Sequence, residues 1–285
     1  MGGGVMQELG EKKLSRRNFL SIAGKLAIGV PLGTSILGLR SNAFGFGWDA
    51  LTYPEGMDPR TVADIAYAGY SGYGGMKGCA YGVFDAIVGQ MKLLSGDGAF
   101  DGIPTEMSGY GKGGIVGWGH LCGALNGAYA AINLVVEDFN DITNVISEVM
   151  CWYSQEALPV HEPDNPSHST AYIPRTVADS GLCHASVTNW CRQSGFTVNS
   201  PERSERCARL AADVAAKAVE LLNSFYDPAE PGIERQYFES PVVEECGTCH
   251  GKQAMDDVNT TMDCLGCHDK HGSGQMNGNR HMNNR

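Results

Sequence analysis

After Phe238 the sequence contains no Phe, Tyr or Trp and few large aliphatic residues. A segment of that composition cannot close a side-chain core of its own. Residues 239–285 are therefore either a disordered tail or a module built around an apolar body that is not protein. Other shortages narrow the class further. No run of alternating apolar and polar residues announces a sheet, so the expected fold is mainly α. No acid–base or nucleophile constellation for hydrolysis stands out, and the scattered Asp and Glu read as solvated surface. Basic charge is scarce beyond the N-terminus. Residues 1–47 hold six basic and two acidic side chains, so the formal charge of −11 becomes −15 on the remainder. That surface is a poor match for nucleic acid and suits basic redox partner proteins.

The chain also lacks an uninterrupted apolar run. Lys25 and Pro31 break the stretch from Phe19 to Leu39, which argues against a permanent transmembrane helix. Ser15-Arg16-Arg17-Asn18-Phe19-Leu20, basic residues ahead of it and the small residues near Ala43 follow the order of a twin-arginine export signal. Residues 1–47 are read as that signal, which implies a periplasmic chain with no stable membrane anchor after cleavage. This route carries folded proteins, often with a cofactor installed. The signal therefore points to a centre assembled before export.

Most of the 38 glycines precede residue 130. Residues 48–77 read as a Gly/Tyr-rich entry segment and 96–115 as Gly-rich loop. Helices are expected over 78–94, 116–138, 141–157 (Asp141 as N-cap), 183–193 and 204–224 (Ser204 as N-cap). Four prolines make 158–182 a loop. The domain reading is a helical cysteine-rich unit over 48–238 and a small core-less module over 239–285. Gly109-Tyr110-Gly111-Lys112-Gly113-Gly114 has the glycine density of a phosphate loop. It lacks Ser/Thr after the Lys and joins no strand to a helix, so that reading is dismissed.

The aromatic-free tail contains Cys246-Gly-Thr-Cys249-His250 and Cys264-Leu-Gly-Cys267-His268. Two thiols two residues apart add to the two vinyl groups of a haem, and the adjacent His supplies the proximal iron ligand. A four-cysteine zinc knuckle shares the C-x-x-C spacing but needs no His after both pairs. Two haem c groups per chain also answer the missing core, because each macrocycle is an apolar body. Sixth ligands are expected from His184 and His271, with Met276 and Met282 as alternatives. His161 and His168 are expected to be exposed in the Pro-rich loop. An iron lacking a sixth ligand would instead suit a haem-dependent reductase.

Six further cysteines remain. Cys151 lies mid-helix between Met150 and Trp152 and reads as core. Cys79, Cys122, Cys183, Cys191 and Cys207 are candidates for an iron–sulfur centre, because Gly78 and Gly123 beside Cys79 and Cys122 let backbone N–H groups approach sulfur. No C-x-x-C spacing occurs among them, so disulfides or free thiols stand as alternatives on the residues alone.

In combination these features resemble the split-Soret cytochrome c family. The residues that carry the resemblance are Gly78-Cys79-Ala80, Gly117 to Gly127 with Cys122-Gly123-Ala124, Leu182 to Val187 with Cys183, Trp190-Cys191, Arg206 to Leu210 with Cys207, and the two C-x-x-C-H motifs. The N-terminal part also resembles a wider group of redox proteins named for a C, CGAxxG, C, C pattern. The resemblance implies a Gly-rich helical domain that binds an iron–sulfur cluster of the 2Fe–2S type. It further implies a homodimer with haems clustered between subunits, and an axial His supplied across the dimer.

Overall fold

The computed structural model describes residues 50–72, 77–251 and 261–265. The expected signal segment, Cys267, His268, His271, Met276 and Met282 lie outside the described residues. Within them the fold is mainly helical. No described helix is long and apolar enough to cross a membrane.

The first helix, α1 (Pro59–Ser71), falls where only an irregular entry segment was expected. Its start follows ordinary rules: Asp58 is the N-cap and accepts from the Thr61 N–H, and Pro59 stands at the first helical position. The Gly and Tyr content around it masked the apolar face of Val62 and Ala66. Helix α2 (Cys79–Ser95) matches expectation and ends on the left-handed Gly96. A 3₁₀ turn over Thr105–Gly111 leads into a tight loop and then α3 (Gly123–Val135). The expected helix began at residue 116, but 116–122 are not helical. Helix α4 (Phe139–Gln155) is capped by Asp138 rather than Asp141, and α6 (Pro201–Phe225) by Ser200 rather than Ser204. Pro201 at the first helical position of α6 is the signal that marked the true start. Between them lie a two-residue ribbon, β1 (Ala157–Leu158) antiparallel to β2 (Thr176–Val177), and α5 (Cys183–Ser194).

Helices α1, α2, α3, α4 and α6 share one core. Val62 and Ala66 from α1 meet Val83, Phe84, Ile87 and Met91 from α2. Ala124, Leu125, Ala128 and Ile132 from α3 meet Leu210, Ala211, Val214, Ala218 and Leu222 from α6. Alternation of Ala with Leu and Val on α6 narrows the gap between helices while still burying apolar area. Helix α4 closes the core with Val145, Val149 and Tyr153. By contrast α7 (Pro241–His250), which carries the first C-x-x-C-H motif, buries no residue. It hangs from a strap over 233–240, held where the buried Glu148 carboxylate accepts the Gln236 and Tyr237 N–H groups at 3.1 and 3.0 Å.

The Pro-rich loop is pinned in the same manner. Asp213 of α6 accepts from the N–H groups of Val160 and His161, each at 2.8 Å. His161 is thereby buried, not exposed as its loop position suggested, and His168 is half-buried with its ring against Tyr70. Burial pushes the Asp213 carboxyl from its ordinary 3.8 up to about 7, against the two N–H bonds and Arg175 and Arg206, which pull it down. The folded chain thus binds this proton more tightly than the unfolded chain. Its contribution to stability is complete below about pH 3.8 and is lost as pH rises through about 7. The difference in unfolding free energy between wild type and Asp213→Asn is therefore expected to shrink across that window. Urea denaturation at a series of pH values measures it.

Candidate metal centre

Three helices begin at a cysteine. Cys79 and Cys183 are the first residues of α2 and α5, and Cys122 is the N-cap of α3. Helix N-termini present unpaired N–H groups and the positive end of the helix dipole, both of which favour a thiolate. The fourth cysteine, Cys207, sits in the second turn of α6.

A short antiparallel contact aligns two of them. Leu121 and Leu182 form an isolated bridge. Around it the Cys122 N–H donates to Gly181 O at 2.8 Å, Cys183 N–H to His120 O at 2.7 Å and His184 N–H to Gly119 O at 2.9 Å. The approach leaves no space for side chains. A Cβ on Gly114 would lie 2.7 Å from Cys183 Cβ and from the His120 backbone, and one on Gly123 would lie 2.5 Å from Cys79 Sγ. Glycine at 123 thus lets the start of α3 rest directly on the Cys79 sulfur.

The loop that covers the site is conformationally unusual. Gly113, Gly114, Ile115, Val116 and Gly117 all have φ between +44° and +89°. Ile and Val in the left-handed region cost roughly 1–2 kcal/mol each. Hydrogen bonds hold the turn: Val116 N–H to Tyr110 O, Gly117 N–H to Lys112 O, Gly119 N–H to Gly113 O and His120 N–H to Gly114 O. The reversal aims the Gly113 N–H at the Cys79 thiol, while the Ala124 N–H reaches Cys122. Both are backbone-to-sulfur contacts of the kind the flanking glycines suggested.

The thiols feel one another. Burial, then the charges of Cys122 and Cys207, push Cys79 up to about 12. Burial, then Cys122, Cys79 and Cys207, raise Cys183, and burial foremost raises Cys122. Cys191 stands apart: burial raises it, and Cys207 is the cysteine whose charge it senses. Cys79, Cys122 and Cys183 therefore hold their protons tightly, and a metal that binds them must displace those protons. Every described cysteine is free of a disulfide. Among the described residues no three His, Cys, Asp or Glu side chains are close enough together to hold a single ion.

The surroundings supply charge as well as shape. The Arg206 guanidinium is 1% exposed, donates to Ser186 Oγ at 2.8 Å, lies 3.9 Å from Cys207 Sγ, and leaves its Nε without a partner. Arg203 faces Cys207 from the preceding turn and donates to Tyr70 at 3.3 Å. The Tyr153 hydroxyl stands 2.9 Å from Ser186 Oγ and within reach of Cys122. Four thiols, an orphaned guanidinium nitrogen and converging helix starts fit a thiolate-bound metal centre. Arg206, Ser186 and Tyr153 were not singled out from sequence. Only the adjacency Arg206-Cys207 on an Ala-rich helix hinted at the first.

In the tail, Cys246 and Cys249 lie on α7 with His250 at its last residue. Cys264 comes within hydrogen-bonding reach of Cys246; burial and then that contact raise its thiol. The two C-x-x-C-H motifs therefore start side by side. The same piece touches the body where Ser180 Oγ donates to Met262 Sδ at 3.5 Å while accepting from Leu182 N–H at 3.1 Å. His184, whose N–H donates to Gly119 O, and His120 are exposed, as is Trp118.

Residues 78–221 match the family model described as "Putative redox-active protein (C_GCAxxG_C_C)". The chain is 35% identical over 226 residues to the split-Soret cytochrome c of Desulfovibrio desulfuricans (strain ATCC 27774), covering 78% of each chain. A solved structure of the split-Soret cytochrome c from that strain, which contains a novel iron centre, superposes with a TM-score of 0.70 at 34% identity. It covers 80% of this chain and 92% of that one.

Replacing Cys79, Cys122, Cys183 or Cys207 singly by Ser is expected to remove iron in excess of haem. Cys191→Ser is expected to retain it. Total iron against haem content in each purified variant measures the difference.

Proposed function

This chain belongs to the split-Soret cytochrome c family, and we propose that it is a periplasmic electron carrier with two haem c groups and one iron–sulfur cluster. Bound, these groups supply one-electron oxidation and reduction; the residues of the chain hold them, set their surroundings and limit water.

Cys246, Cys249, Cys264 and Cys267 form the thioether links, and His250 and His268 are the proximal ligands. The observation that carries the reading is the contact between Cys246 and Cys264, which starts both attachments from one point of an otherwise core-less module. Closely spaced haems exchange electrons readily and couple optically. Cys79, Cys122, Cys183 and Cys207 hold the cluster, of the 2Fe–2S type. Helix starts and the Gly113 and Ala124 N–H groups stabilise the thiolates, while the fully buried Tyr153 beside Cys122 keeps water from that side. His184 is the candidate sixth ligand from the body and His271 from the tail. A homodimer with haems gathered between subunits, twin-arginine export, and basic redox proteins as partners complete the proposal.

The test is spectroscopy on the full-length exported protein. Two covalent haems per chain, a divided Soret band and iron beyond the haem content are expected. Iron equal to haem would remove the cluster, and absence of covalent haem would overturn the whole reading. With both irons six-coordinate, the reduced protein is expected not to bind carbon monoxide. Binding in the wild type would favour a reductase, whereas binding that appears only in His184→Ala identifies that ligand.

A further inference from the structure

We propose that Arg206 is the resident counter-charge of the cysteine-bound centre and, through Ser186 and Tyr153, holds its reduction potential up. This inference rests on the cluster reading of Cys79, Cys122, Cys183 and Cys207.

An isolated guanidinium taken out of water costs several kcal/mol unless an anion or a full set of acceptors receives it. Arg206 has neither in ordinary form. Its described ion-pairing distance to every described carboxylate exceeds the 4.0 Å of a salt bridge, unlike its neighbours Arg209, which meets Glu205 at 2.8 Å, and Arg235, which meets Glu239 at 3.1 Å. Asp213 on the same helix is occupied by the Val160 and His161 N–H groups. What faces Arg206 is Cys207, Cys122 and Tyr153. Asp213 also acts on Arg206 electrostatically, but its oxygens are taken by the two backbone N–H groups, and the acidic group within hydrogen-bond distance of the guanidinium is the Cys207 sulfur at 3.9 Å. A thiolate there is the anion that makes this burial tolerable.

The hydrogen bonds extend the effect to a second sulfur. Arg206 Nη2 donates to Ser186 Oγ at 2.8 Å, and Ser186 Oγ lies 2.9 Å from the Tyr153 hydroxyl, which reaches Cys122. Ser186 and Tyr153 are 1% and 0% exposed. As the structure stands, Ser186 Oγ accepts from both Arg206 Nη2 and the Tyr153 hydroxyl; when Cys122 carries a thiolate, the Tyr153 proton turns to the sulfur and Ser186 donates to Tyr153 in its place. Such a chain polarises each member toward the thiolate. One electron added at the site increases its negative charge. Arg206 and the donated hydrogen bond thus favour the reduced state more than the oxidised one, which raises the potential.

The experiment is an EPR-monitored redox titration of the full-length holoprotein, with the haem potentials as internal reference. Arg206→Gln is expected to shift the non-haem iron potential to more negative values. Arg206→Lys should shift it less, Tyr153→Phe should give a smaller shift in the same direction, and the haem potentials should stay in place. A non-haem potential unmoved in Arg206→Gln reduces the arginine to a structural role and overturns the inference. Should Arg206→Gln fail to assemble, Arg206→Lys and Tyr153→Phe decide it: unmoved potentials in both overturn it, and a negative shift in Tyr153→Phe upholds it. Wild type without non-haem iron would fail the cluster reading itself, a result distinguishable from a cluster whose potential ignores Arg206.

Discussion

The antiparallel contact of residues 119–122 with 181–184 is the constraint on which the rest depends. It joins the start of α3 to the start of α5, two segments separated by the whole of α4 and the Pro-rich loop. Without it Cys122 and Cys183 have no reason to be neighbours. The contact is possible because Gly114 and Gly119 leave open the space that Cys183 Cβ and His184 Cβ occupy. It in turn requires the loop ahead of it to reverse sharply, which explains why Ile115 and Val116 tolerate positive φ. Strain of that kind persists only where surrounding contacts over-determine it. Here four backbone hydrogen bonds and the packing of α2 against α3 do so.

Much of this was legible in the residues. The C-x-x-C-H motifs and the aromatic-free tail pointed to haem before any geometry. Gly beside Cys pointed to backbone N–H groups on sulfur, and the apolar periods of α2 and α6 located the core helices. The failures have physical causes. Helix α1 was hidden because Gly and Tyr around Val62 and Ala66 diluted its period. Residues 116–122 carry enough apolar side chains to look helical, but tertiary pairing with 181–184 overrode local propensity. His161 looked exposed because nothing local reveals that Asp213, far along the chain, captures its backbone. Choosing among five cysteines also needed three dimensions. Cys183 and Cys191 lie on one short helix, and only packing shows that Cys183 senses Cys79, Cys122 and Cys207 while Cys191 senses Cys207.

The two halves of the molecule solve the same problem by opposite means. The body buries charge with partners: Asp213 with two N–H groups, Glu148 with the strap, Arg206 with thiols and hydroxyls. Each buried polar group also ties a loop to a helix, so the irregular segments are fixed without a sheet. The described part of the tail has no such resources, because α7 offers no buried face; it meets the body where Met262 Sδ receives Ser180 Oγ.

That touch reaches further than one side chain. From Cys183 the backbone passes to Leu182, whose N–H bonds Ser180 Oγ; that hydroxyl bonds Met262 Sδ, and two residues further stands Cys264. Every link between a cysteine at the start of α5 and a cysteine of the second C-x-x-C-H motif is thus a covalent bond or a hydrogen bond, with no gap across solvent. A contact that looks like a minor anchor thus couples the start of α5 to the second C-x-x-C-H motif, so that a shift at either end is felt at the other.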